Sequence, residues 1–177
     1  MLRAIRECSK PVIARVHGAV FGGGVGLVAA CDLSVAVRSA IFALTEVKLG
    51  ILPAVISPYV QERIGAGQMR RYALTAERFD AVVAERLGLV AAVVEDESEL
   101  EEKIAFFVKL LKKNGPEAVA ACKSVLREIQ PVDWDRATTI TTSRIAERRV
   151  SQEGQDGLRS FLEKRTPPWD PAAGAST

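Results

Sequence analysis

Val12-Ile13-Ala14-Arg15-Val16-His17-Gly18, then Gly22-Gly23-Gly24, then Val25-Gly26-Leu27-Val28-Ala29-Ala30-Cys31-Asp32 and Leu33-Ser34-Val35-Ala36-Val37 is the stretch whose reading decides the fold. Residues 12–16 are a β-branched run after Pro11 and read as a buried strand, which His17-Gly18 breaks. Residues 25–31 predict a helix packed on that strand and closed by Asp32. Residues 33–37 predict a second apolar strand, and 41–44 a shorter third. Strand, helix and strand with short connections form a βαβ unit, which implies parallel pairing.

Working outward, residues 45–54 read as a loop interrupted by Gly50 and Pro53. A short helix is expected over 56–64, ending at Gly65, with further helices over 68–75 and 80–87. Gly88 stops the last of these, and 89–94 reads as a strand. From Ser98 onward the pattern is helical. Ser98 and Glu101 have capping-box spacing, and Ile104, Phe107, Val108 and Leu111 follow at helical intervals. Pro116 starts a helix over 117–129, Asp133 caps one through 149, and Ser151 caps a last one ended by Pro167-Pro168. The chain thus divides into an α/β portion, 1–95, and a helical portion, 96–177.

Composition narrows the function classes. The 177 residues are 48% hydrophobic and 26% charged, as in a globular domain with at most a small appendage. Twenty-four basic side chains against 22 acidic ones, without a basic run, argue against a nucleic-acid partner. Cys8, Cys31 and Cys122 are far apart and His17 is the only histidine, so no metal site is expected. Reduced thiols fit a cytoplasmic setting. No G-x-S-x-G elbow accompanies His17, which sets serine–histidine hydrolysis aside. The charged N-terminus lacks a signal-peptide core, and the apolar stretch 19–30 is broken by four glycines and too short to span a bilayer. A soluble protein without a membrane partner is expected.

Two features can carry chemistry. Glycines at 22, 23 and 24 let a ligand approach the backbone closely, and at a helix start they offer free N–H groups and the positive end of the dipole. They do not make a dinucleotide fingerprint, because the sixth position counted from Gly22 is Leu27, and no Gly-Lys-Ser/Thr follows to make a P-loop. The plain alternative is a tight strand-to-helix crossing. Glu46 is the second feature, a carboxylate in the apolar stretch Phe42-Ala43-Leu44-Thr45-Glu46-Val47. Partly removed from water it suits proton transfer; the alternative is a surface glutamate paired with Lys48.

Taken together with Lys10-Pro11, His17-Gly18 and Cys31-Asp32-Leu33, these features resemble the signature of the crotonase (enoyl-CoA hydratase/isomerase) superfamily. The similarity runs on through Phe42 to Pro53, Arg71-Tyr72-Ala73-Leu74-Thr75-Ala76-Glu77-Arg78-Phe79, Ala84-Glu85-Arg86-Leu87-Gly88-Leu89-Val90, and Ser151-Gln152-Glu153-Gly154 with Phe161 to Trp169. Gly24-Val25-Gly26-Leu27-Val28, Ser57-Pro58-Tyr59 and the Arg71 stretch look most like the bacterial methylglutaconyl-CoA hydratase group of leucine breakdown.

The resemblance implies an α/β, crotonase-like ββα spiral core, incomplete at the N-terminus, followed by a C-terminal helical trimerisation region. It implies an acyl-CoA substrate, coenzyme A being part of that substrate with no separate cofactor, and assembly as a homo-trimer or hexamer. Gly23 would donate the second N–H of an oxyanion hole. The family's two acid/base glutamates fall at Gly26 and Glu46, so only one carboxylate remains. Gly22, Gly24, Gly26, Phe42, Leu44 and Pro53 would contact substrate, with Leu27 and residues around Val55 lining the acyl pocket. Phe161 and Lys164 could approach the coenzyme from this or a neighbouring subunit; the preferred reading is the plain one, Phe161 as core and Lys164 as solvated surface. The family segment that precedes the first strand and carries the other oxyanion donor is expected to be missing here. Hydration of a branched or carboxylated 2-enoyl-CoA is the leading expectation. Double-bond isomerisation by Glu46 alone and a non-catalytic acyl-CoA-binding subunit are the alternatives.

Overall fold

A computed structural model describes residues 1–174, so the last three residues of the expected helical portion lie outside the described ones. The chain forms two compact units, one of Met1–Cys8 with Val12–Phe106, the other of Ser9–Pro11 with the chain from Phe107 onward.

The first unit begins with α1 (Leu2–Glu7), β1 (Ile13–Val16), β2 (Ala19–Phe21), α2 (Gly23–Ala30), β3 (Leu33–Val37) and β4 (Ile41–Ala43). A 3-10 turn at Glu46–Leu49 leads to α3 (Ser57–Thr75), β5 (Phe79–Asp80), α4 (Ala81–Arg86), β6 (Ala92–Val94) and α5 (Glu97–Lys112), which belongs to the first unit as far as Phe106. β2 is absent from the sequence reading: three residues with burial alternating exposed, buried, exposed, ending against a glycine run, carry too little periodicity to register. Its presence changes the topology. β1 pairs with β3 in parallel, Ile13 against Leu33, and β2 pairs with β4 in parallel, Ala19 against Ile41. Successive ββα turns therefore feed one strand into each of two sheets, ordered β1-β3-β6 and β2-β4-β5. The last pair, β4 with β5, is antiparallel and sets Phe42 opposite Phe79.

Both faces of β3 are covered, which is why residues 34–37 are all buried and read as a continuous apolar run. Val25, Phe42, Leu44, Val60, Leu89 and Leu100 complete the core, each contributing on the order of 1.5–3 kcal/mol by leaving water. α3 is two helical runs that meet at a kink: Gly65, at φ +76° and ψ 159°, leaves the helical conformation where the first of the two helices is expected to end. The start of α5 also differs from expectation. Asp96 Oδ1 accepts from the Glu99 N–H (3.0 Å) and the Glu99 carboxylate accepts from the Glu95 N–H (2.9 Å), so the box lies two residues before Ser98, which is inside the helix. Arg15 reaches Glu97 and Glu101, each at 2.6 Å, tying β1 to α5. That hydrogen bond holds the Glu97 carboxyl below its ordinary value, although ion pairs this exposed add little stability.

The second unit carries α6 (Pro116–Glu128), α7 (Trp134–Val150) and α8 (Gln152–Leu162). Asp133 and Ser151 cap α7 and α8 as expected, accepting from the Arg136 N–H (2.9 Å) and the Gly154 N–H (3.1 Å). α8 stops at Leu162, ahead of Pro167, and Lys164 follows at φ +54°. Phe161 is 81% exposed, which corrects its assignment to the core: Ser160, next to it, is the residue α8 buries. Among the described residues no helix is long and apolar enough to cross a membrane.

Candidate active site

The sequence brings Gly22 and Glu46 together by strand register. β2 lies beside β4 with Phe21 opposite Ala43, and the Gly22 N–H donates to the Ala43 carbonyl at 2.9 Å. Each strand then ends one to three residues short of a feature singled out above: α2 begins at Gly23 after β2, and the 3-10 turn begins at Glu46 after β4. Gly22 is the N-cap of α2 at φ +51°, ψ −120°, a conformation that favours glycine strongly. A Cβ placed there would lie 3.1 Å from Glu46 Oε1 and 3.6 Å from Thr45 Oγ1. The carboxylate therefore rests against bare backbone.

Glu46 is half-buried. Its Oε2 is shut off from solvent and has no hydrogen-bond partner among the described residues. Lys48, two residues on, is exposed. A buried carboxylate oxygen without a donor is costly in a folded protein, and such groups occur where a ligand or a proton completes them. Gly23 is exposed and Gly24 half-buried in the first turn of α2, where N–H groups have no partner within the helix. Those N–H groups and the positive helix end can accept developing negative charge on an oxygen.

The other expected contacts fall in three places. Pro53 is buried, and its carbonyl accepts from the Ser57 N–H (3.1 Å) and hydroxyl (2.5 Å) at the start of α3. Phe42 and Leu44 are 0% and 1% exposed, and the Phe42 ring stacks on Phe79 with centroids 5.6 Å apart. Leu27 is half-buried and Val55 is 76% exposed. Gly26 is buried one turn beyond the glycine run, and the residue it faces is Ile56: a Cβ at Gly26 would lie 2.7 Å from Ile56 Cβ. Sequence reasoning missed Ile56. The available signal was a glycine in a helix interior with no turn to serve, which marks a close approach without naming the neighbour. Among the described residues no group of three or more His, Cys, Asp or Glu is placed to hold a metal ion.

Comparison with known proteins gives the family. The family profile described as enoyl-CoA hydratase/isomerase matches residues 1–172. A crotonyl-CoA hydratase of Syntrophomonas wolfei is 36% identical over 166 residues, 93% of this chain and 64% of that protein. A peroxisomal Delta(3,5)-Delta(2,4)-dienoyl-CoA isomerase of Arabidopsis thaliana is 31% identical over 167 residues, 94% of this chain and 60% of that protein. The crystal structure of an enoyl-CoA hydratase from Shewanella pealeana superposes with a TM-score of 0.88 at 40% identity, covering 95% of this chain and 63% of that one. The chain spans between 44% and 65% of the length of such curated relatives. The crotonase fold, a parallel ββα spiral with a glycine-capped helix start beside a lone glutamate, and a family match along nearly its whole length place this chain in the enoyl-CoA hydratase/isomerase family.

Proposed function

We propose that the chain carries the acid/base half of an enoyl-CoA site, with Glu46 moving a proton at the carbon next to the thioester. The observation that carries this reading is the Glu46 carboxylate, with one oxygen against Gly22 and the other enclosed and unpartnered. Gly23, at the start of α2, donates its N–H to the thioester oxygen as the enolate forms. A donor aimed at developing charge contributes about 3–4 kcal/mol to the transition state. Coenzyme A enters as part of the substrate, with no separate cofactor.

The reaction proposed first is hydration of a 2-enoyl-CoA. Hydroxide from water adds at the β-carbon and its proton is delivered to the α-carbon, Glu46 serving as base and then acid. A carboxylated acyl group, as in methylglutaconyl-CoA, would bring a second carboxylate to the water. The second reading is double-bond migration, in which Glu46 removes a proton at one carbon and returns it two carbons away. Gly26 favours it, because residue 26 has no side chain to share the work. Assembly as trimers or hexamers belongs to the same proposal, supported by Trp134, Val150, Phe161 and Leu162, all about 80% exposed on the helices of the second unit.

The test is loss of the conjugated enoyl absorbance of crotonyl-CoA and 3-methylglutaconyl-CoA, with wild type and Glu46→Gln side by side. The variant is expected to turn over ~100-fold or more slowly. Equal rates would refute the role of Glu46. Binding without turnover in both proteins would favour an acyl-CoA-binding subunit.

A further inference from the structure

Gly26 occupies an ordinary position in α2: its φ is not positive, and glycine in a helix interior is less stable than alanine. What requires glycine there is Ile56. A Cβ on residue 26 would lie 2.7 Å from Ile56 Cβ, closer still to its Cγ2, and 3.6 Å from its Cα. Ile56 has little room to yield. Its β-branch restricts χ1, it is 6% exposed, and it is the N-cap of α3, its carbonyl accepting from the N–H groups of Tyr59 (3.1 Å) and Val60 (3.0 Å). Gly22 and Gly26 sit one turn apart at the start of α2, the first facing Glu46 and the second facing Ile56.

We infer that Ile56 is a specificity-determining residue: it fills the space that any side chain at residue 26 would need, and so restricts the site to a single carboxylate. The chemical consequence rests on the proposed role of Glu46; the steric claim does not. With an apolar branch in place of a second acid or base, this wall offers no side-chain group to orient water. Proton exchange at the α-carbon, which needs one carboxylate, therefore asks nothing more of this wall, whereas hydration depends on a second group brought to the water by the substrate.

The experiment uses the full chain and compares Gly26→Ala, Ile56→Gly, Ile56→Leu and their combinations by thermal unfolding. Gly26→Ala alone is expected to lower the Tm by about 4 °C or more. In the Ile56→Gly background, which removes both the Cβ and the methyl, the same change should cost nothing or raise the Tm, because alanine is the better helix residue. Ile56→Leu keeps the volume but removes the methyl nearest Gly26 and should recover part of the loss, which preserves the test if Ile56→Gly does not fold. An equal Gly26→Ala penalty in every background would overturn the inference. For the reaction, deuterium uptake at the α-carbon of butyryl-CoA is compared with hydration of crotonyl-CoA. Gly26→Glu combined with Ile56→Gly should raise the ratio of hydration to exchange tenfold or more over Ile56→Gly alone, and Gly26→Glu alone should not. A stable Gly26→Glu protein with raised hydration would also overturn it. Exchange that survives Glu46→Gln would instead refute the proposed role of Glu46 and leave the unfolding comparison to decide Ile56.

Discussion

The Glu46 carboxylate closes on Gly22, with Oε1 lying 3.1 Å from where a Cβ of residue 22 would be. Twenty-four residues apart in sequence, the two meet because β2 and β4 run in parallel and the Gly22 N–H is held by Ala43. Any side chain at residue 22 acts on this relationship twice. It strains a backbone at φ +51°, and it pushes a carboxylate whose Oε2 has no hydrogen-bond partner among the described residues.

Gly22→Ala is therefore expected to destabilise the first unit by about 1–3 kcal/mol. It should also lower turnover more than its stability loss explains, since a misplacement of roughly 1 Å at the reacting group can cost about 100-fold. Denaturant unfolding and steady-state rates on the same preparation check both parts. Wild-type stability with wild-type turnover would show that Gly22 is free to move away from Glu46.

How much of this was legible beforehand follows from the kind of signal each residue gives. Residues 33–37 match β3 because a strand buried on both faces is a plain apolar run. β2 gave no such run, and without it the register that joins Gly22 to Glu46 could not be read. Resemblance supplied the pairing instead. Asp96-x-x-Glu99 and Ser98-x-x-Glu101 have the same spacing in sequence; the early end of β6 at Val94, clamped by the Arg38 N–H at 2.7 Å, selects the first. Ile56 stands among Ile51, Leu52 and Val55, which are 57%, 69% and 76% exposed, and nothing in the pattern marks it as the buried one.

Glu153 gives a prediction in the second unit. Its carboxylate accepts from the N–H groups of Glu117 (2.9 Å) and Ala118 (2.7 Å) at the start of α6, and Arg148 braces it at 3.0 Å. One side chain of α8 thus does the work of an N-cap for α6, where Gly115 supplies no side-chain hydrogen bond of its own. Glu153→Gln turns an NH2 group toward one of those donors and removes the charge that favours the positive helix end. A loss of about 1–3 kcal/mol is expected, with faster amide exchange at Glu117 and Ala118. Unchanged exchange at both amides would show that water serves the helix end equally well.

Gly65 and Gly67, both within α3, should respond to alanine in opposite directions. Neither would press a new Cβ against a neighbour, since nothing lies within 4 Å of either position, so only the backbone differs. Gly65 sits at φ +76°, ψ 159° at the kink, where an L side chain is strained. Gly67 has no positive φ and lies in the helical run that follows. Gly65→Ala is expected to cost about 1–3 kcal/mol, either straightening α3 or straining it. Gly67→Ala should gain about 0.5–1 kcal/mol, because alanine loses less backbone entropy on entering a helix. Denaturant midpoints measured together decide it. If both substitutions stabilise, the bend at Gly65 is not a requirement of the fold, and α3 is free to run straight from Ser57 to Thr75.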